Sequence, residues 1–108
     1  MDSELEQMTR AIVAAAHPQQ VVLFGSRATG HAQPSSDYDL ALVFNSSDEL
    51  RSGLRRAHRA LWPRHHPVDL VALTAETFRQ RNSVLAREVA ANGQVLFQDD
   101  APSPSKRS

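Results

Sequence analysis

Val21-Val22-Leu23-Phe24-Gly25-Ser26-Arg27-Ala28-Thr29-Gly30, followed after a short loop by Ser36-Asp37-Tyr38-Asp39-Leu40, is the stretch whose reading decides the fold. The four residues before Gly25 are apolar, β-branched or aromatic, the composition of a short buried strand over 20–24. Such a strand carries the Gly-Ser turn to a sheet edge, where a short helical segment near 26–30 can offer backbone N–H groups to a phosphate. Downstream, Asp37 and Asp39 alternate along a second strand, roughly 37–44, so their side chains share one face with Cα atoms ~6.5 Å apart. A phosphate-gripping turn joined to paired carboxylates implies a metal-dependent enzyme acting on a nucleotide.

Working outward, Ser3 and Glu6 form a capping box before Leu5, Met8, Ile12 and Ala16, which recur at helical spacing until Pro18. Residues 31–36 have the composition of a loop. Ser46 and Glu49 repeat the capping box ahead of a helix whose apolar face is Leu50, Leu54, Ala57 and Leu61 and whose other face carries Arg51, Arg55, Arg56 and Arg59. That arginine stripe reads either as a solvated face or as a partner-binding patch. A third strand, Val68 to Leu73, leads to Thr74, placed to cap a helix through Phe78. More helix follows from Ser83 to Asn92, with Gly93 as its stop and Gln94 to Phe97 as a last strand. Trp62 and Phe78 are expected to face the core. His65-His66 lacks the spacing and third ligand of a zinc site and reads as a surface loop.

The chain has 108 residues, 41% hydrophobic, enough for one core over 1–98 with a Pro- and Ser-rich tail over 99–108 expected to be disordered. Twelve Lys+Arg balance twelve Asp+Glu, which argues against direct nucleic-acid binding driven by a global field. No cysteine is present, excluding disulfides and thiolate metal sites. No apolar run approaches the ~18 residues of a membrane span, so the expectation is a cytoplasmic protein.

Oxygen-only carboxylate pairs suit Mg²⁺, which completes its shell with water and substrate phosphates. Two-ion transfer chemistry calls for a further carboxylate. Asp69 is the candidate, because a charge within Val68-Asp69-Leu70-Val71-Ala72-Leu73 costs several kcal/mol if buried unpaired, roughly the penalty of stranding a charge. Asp69 could accept a proton from an incoming hydroxyl if the second and third strands are neighbours, or it could be an edge-strand charge that reaches water. Gly25 and Ser26 are candidates to grip the phosphates, with Arg27 either a further contact or an ordinary exposed arginine. The run 25–30 imitates GxxxxG, but His31 and Ala32 follow where a P-loop needs Lys and Ser/Thr, so that reading fails.

Gly25-Ser26, ten intervening residues, Asp37-x-Asp39 and a later strand Asp69 together resemble the DNA-polymerase-β-type nucleotidyltransferase superfamily, over most of the chain. The length resembles its minimal members. The resemblance implies an α+β fold, a small mixed sheet flanked by helices. It also implies nucleotide-binding roles for Gly25, Ser26 and Arg27, and metal-binding and catalytic roles for Asp37, Asp39 and Asp69, with ATP as substrate and Mg²⁺, two ions, as cofactor. Minimal members commonly pair with a small helical HEPN toxin and resemble antitoxins that adenylylate a toxin tyrosine. Thr29 departs from that pattern, where a second basic residue is common. Two alternatives remain: neutralisation by binding alone with a vestigial nucleotide site, or an aminoglycoside-type nucleotidyltransferase that needs a partner subunit.

Overall fold

In the computed structural model, residues 3–30, 33, 37–62 and 67–99 are described; His65-His66, most of the 31–36 loop and residues 100–108 lie outside them. The chain opens with α1 (Ser3–Ala16), whose Leu5, Thr9, Ile12 and Ala16 are buried at the helical spacing expected of them. Thr9 satisfies its hydroxyl inside that stripe by donating to the Leu5 carbonyl at 2.8 Å. Next come β1 (Gln20–Phe24), the one-turn α2 (Ser26–Thr29), β2 (Tyr38–Phe44), α3 (Ser47–Ala60), β3 (Val68–Thr74), α4 (Ala75–Gln80), α5 (Val84–Asn92) and β4 (Gln94–Gln98).

The strands form one mixed sheet in the order β3-β2-β1-β4. β1 is antiparallel to β2 and β4, while β2 and β3 are parallel and joined by α3 as the crossover a parallel pair requires. This is the α+β arrangement expected from the sequence. Alternation along the strands divides the apolar residues between two cores. Val21, Leu23, Tyr38, Leu40, Leu42, Phe44, Val68 and Leu70 pack with α1 and α3, and Val22, Ala41 and Leu73 pack with Ala86 and Val89 of α5.

Local chemistry sets the helix boundaries. The hydroxyls of Ser46, Thr74 and Ser83 each accept the backbone N–H three residues on, the N-cap bond that uses an otherwise orphaned donor. Gly93 ends α5 in an extended conformation (φ −76°, ψ 156°) instead of a left-handed turn. Glycine is needed there for space, because a Cβ would come within 2.5 Å of Val22 Cγ1.

Three expectations need correction. The second strand begins at Tyr38, so Asp37 precedes it. Trp62 is 75% exposed rather than in the core. Leu61, four residues after buried Ala57, takes the core position, and at ~100° per residue the next side chain turns outward. Asp69 is exposed on the edge strand β3, so no burial penalty requires a cation beside it.

Candidate active site

Asp39 sits at the start of β2, flanked across the sheet by Phe24 of β1 and by Asp69 of β3, its direct register partner on the parallel side. Neighbouring strands lie ~4.8 Å apart and register partners share a face, so Asp39 and Asp69 project side by side from the α4 and α5 side of the sheet. The adjacency on which the third carboxylate depends is therefore present. Asp37 lies two residues before Asp39, exposed, just outside the strand. Between them Tyr38 points the other way, buried in the core beneath α1 and α3. Its N–H donates to the Pro67 carbonyl at 3.0 Å, which ties the start of β2 to the residue that leads into β3.

The Gly-Ser turn closes over the same corner. Gly25 has φ 76° and ψ −157°, a backbone conformation that only glycine adopts without strain. Its missing side chain is also required by space: a Cβ would overlap Asp39 Oδ2 and stand 3.1 Å from Asp39 Cγ. The N–H groups of Ala28 and Thr29 turn back to the Gly25 carbonyl at 3.1 and 3.3 Å. That leaves the Ser26 N–H and hydroxyl without a partner among the described residues. Gly30 ends the turn in a left-handed conformation (φ 83°), donating to the Ser26 carbonyl. Arg27 places its guanidinium carbon 4.1 Å from the centre of the Tyr38 ring, a cation–π contact that holds the charge at this end of the sheet. That contact was not foreseen from the sequence, because it depends on how α2 folds back over β2.

The electrostatics are those of a site built from like charges. Burial lifts the Asp39 carboxyl above its ordinary value of 3.8, and the charges of Asp69 and then Asp37 lift it further. Among the described residues, none of the three carboxylates accepts a hydrogen bond or pairs with a cation. No three His, Asp or Glu side chains there are already arranged to hold a metal ion. The donor set nevertheless fits a hard divalent cation: oxygen atoms only, net negative, mutually repelling and with two of the three open to solvent. Gly25, Ser26, Arg27, Asp37, Asp39 and Asp69 thus gather at one end of the sheet, with Tyr38 added to the set as the support for Arg27.

Residues 6–102 match the family model described as polymerase beta, nucleotidyltransferase. No curated protein matches the chain in sequence. Among solved structures, a toxin-antitoxin with AMP-PNP is 23% identical, with 88% of this chain and 74% of that chain covered and a TM-score of 0.56. A Sulfolobus solfataricus protein assigned as a nucleotidyltransferase gives 17% identity, 90% and 79% coverage and a TM-score of 0.63. A mutant form of the toxin-antitoxin MntA-HpeT gives 22%, 88%, 74% and 0.54. At these identities the likeness is one of fold.

Proposed function

The chain belongs to the polymerase β nucleotidyltransferase family, and from that premise we propose that it is the antitoxin of a toxin–antitoxin pair, transferring AMP from ATP to a tyrosine hydroxyl of a small helical HEPN-type partner. The observation that carries this reading is the register of Asp39 with Asp69 beside the positive-φ turn at Gly25, which brings two carboxylates and the Ser26 donors to one corner. The fold shared with two toxin-antitoxin structures, one of them with AMP-PNP, supports the partner and the nucleotide.

In this reading Gly25 lets the backbone approach the triphosphate and the Ser26 N–H and hydroxyl donate to it, while Arg27, seated on Tyr38 at the same end of the sheet, adds positive charge to its surroundings. Asp37, Asp39 and Asp69 would hold Mg²⁺, which when bound neutralises charge on the transferring phosphate. Asp69, the more exposed of the register pair, takes the proton as the tyrosine oxygen bonds to the α-phosphorus. The bond from that phosphorus to the bridging oxygen breaks, and pyrophosphate leaves.

Label transfer tests the reading. With Mg²⁺ and the protein encoded beside this chain as acceptor, α-labelled ATP should leave its label on the acceptor and γ-labelled ATP should not. Label from the γ position would make the chain a kinase. No label from either, with the acceptor still bound, would favour neutralisation by binding alone.

A further inference from the structure

The crossover helix α3 leaves one face unused by the fold. Gly53, Ala57 and Leu61 are buried against the sheet side, whereas Arg51, Arg55, Arg59 and Trp62 are all exposed. At ~100° per residue the three arginines fall within one stripe on the opposite side of the helix, and Trp62 follows two residues past its end, its backbone N–H donating to the Arg59 carbonyl at 3.2 Å. Arg51 is bound to Asp48 at 2.6 Å. Arg55 and Arg59 have no acidic partner among the described residues.

The direction of α3 matters more than its charge. β2 and β3 are parallel and both begin at the carboxylate corner, at Tyr38 and Val68. The chain between them must return from the far end of β2 to that corner, and α3 makes the return. Its C-terminal end, with Arg59 and the following Trp62, therefore lies at the same end of the molecule as Asp37, Asp39 and Asp69 but on the opposite face of the sheet from Asp39 and Asp69, so a partner seated there reaches the carboxylates around the ends of β2 and β3.

We propose that the stripe Arg51, Arg55 and Arg59, with Trp62 just past its end, is the docking surface for an acidic protein partner, which it holds so that a partner side chain reaches the carboxylate corner. The delivery to that corner rests on the reading under Proposed function; the docking surface does not. Charge complementarity sets the chemistry of the occupant, since two guanidinium groups that form no ion pair among the described residues attract carboxylates. A protein is the occupant rather than a nucleic acid for two reasons. Trp and Arg are the residue types that dominate protein interfaces, and single-strand binding needs several exposed aromatics, where this stripe has one on a chain of zero net charge.

Trp62 is the only tryptophan, so the surface carries its own reporter. The full chain is titrated with a helical peptide of glutamate and leucine, with the same peptide carrying lysine for glutamate, and with single-stranded oligouridylate. Trp62 emission and its quenching by acrylamide are followed. The acidic peptide should shift the emission to the blue and protect the indole, the lysine peptide should not, and Arg55→Glu/Arg59→Glu should weaken the acidic peptide by about tenfold or more, on the order of 1.4 kcal/mol. A fluorescent ATP analogue with Mg²⁺ should bind that double variant as it binds wild type. The proposal is overturned if the acidic peptide leaves Trp62 unaffected, if the double variant binds it equally well, or if oligouridylate binds more tightly. Failure of the ATP analogue on both proteins would overturn the nucleotide reading alone, because the peptide titration is independent of it.

Discussion

Gly25 lies directly against the carboxylate of Asp39: a Cβ on the glycine would overlap Oδ2 and stand 3.1 Å from Cγ. The turn and the strand carboxylate are thus one packed unit, and a change on either side is felt on the other. The same contact leaves Asp39 partly shielded from water while Asp37 and Asp69 remain exposed.

Gly25→Ala and Gly30→Ala separate the two demands on a glycine. Both positions have positive φ, 76° and 83°, but only Gly25 has a neighbour where the methyl would go. Gly30→Ala should cost roughly 1–2 kcal/mol from left-handed strain alone. Gly25→Ala adds overpacking and should cost roughly 2–5 kcal/mol, with loss of nucleotide binding. Urea unfolding of both variants, with titration of a fluorescent ATP analogue, checks this; equal costs would remove the close approach of Gly25 to Asp39 from the account.

Asp39→Asn should stabilise the metal-free protein at neutral pH. The folded-state pKa of Asp39 is raised, so the folded chain holds its proton more tightly than the unfolded chain, and stability falls as pH rises from the ordinary value of 3.8 through the raised one. The variant lacks that loss. Its advantage over wild type should therefore grow across this window and level off above it, which denaturant unfolding at a series of pH values would show. Parallel curves for the two proteins would mean that Asp39 is not electrostatically frustrated.

Divalent cation should act on the same penalty. Mg²⁺ or Mn²⁺ should raise the Tm of wild type at neutral pH and lose this effect as pH falls into the range where Asp39 takes up its proton. Asp39→Asn and Asp69→Asn should each blunt the response. Differential scanning fluorimetry with and without EDTA reads it, and an unchanged Tm in wild type would count against a carboxylate metal site.

Much of this was legible in the sequence, for physical reasons particular to each part. The strand before Gly25 could be read because burial on both faces makes Val21 to Phe24 one apolar run, and the face of α1 because burial imposes a helical period on Leu5, Ile12 and Ala16. The caps at Ser46, Thr74 and Ser83 could be read because an N-cap is a bond between residues three apart. The pairing of Asp39 with Asp69 is set by sheet order, a long-range property, and could be stated only as a condition. Helical position suggests a core place for Trp62, but α3 ends at Ala60 and Leu61 fills the core position, so Trp62 is exposed. The seat of Arg27 on Tyr38 has no local signature at all.

Leu61 and Trp62 make that last distinction measurable. Leu61→Ala should cost ~2–5 kcal/mol as a core truncation, whereas Trp62→Ser should stay within about 0.5 kcal/mol. Unfolding curves showing the reverse would return Trp62 to the core.

The most direct test of the central claim is the intact mass of the protein encoded beside this chain after incubation with the chain, ATP and Mg²⁺, with Asp37→Ala/Asp39→Ala as control. The account expects a gain of one or more AMP units with wild type and none with the variant. An unmodified acceptor that binds wild type and variant equally tightly would contradict it, and would make this corner of carboxylates a relic on a protein that acts by binding.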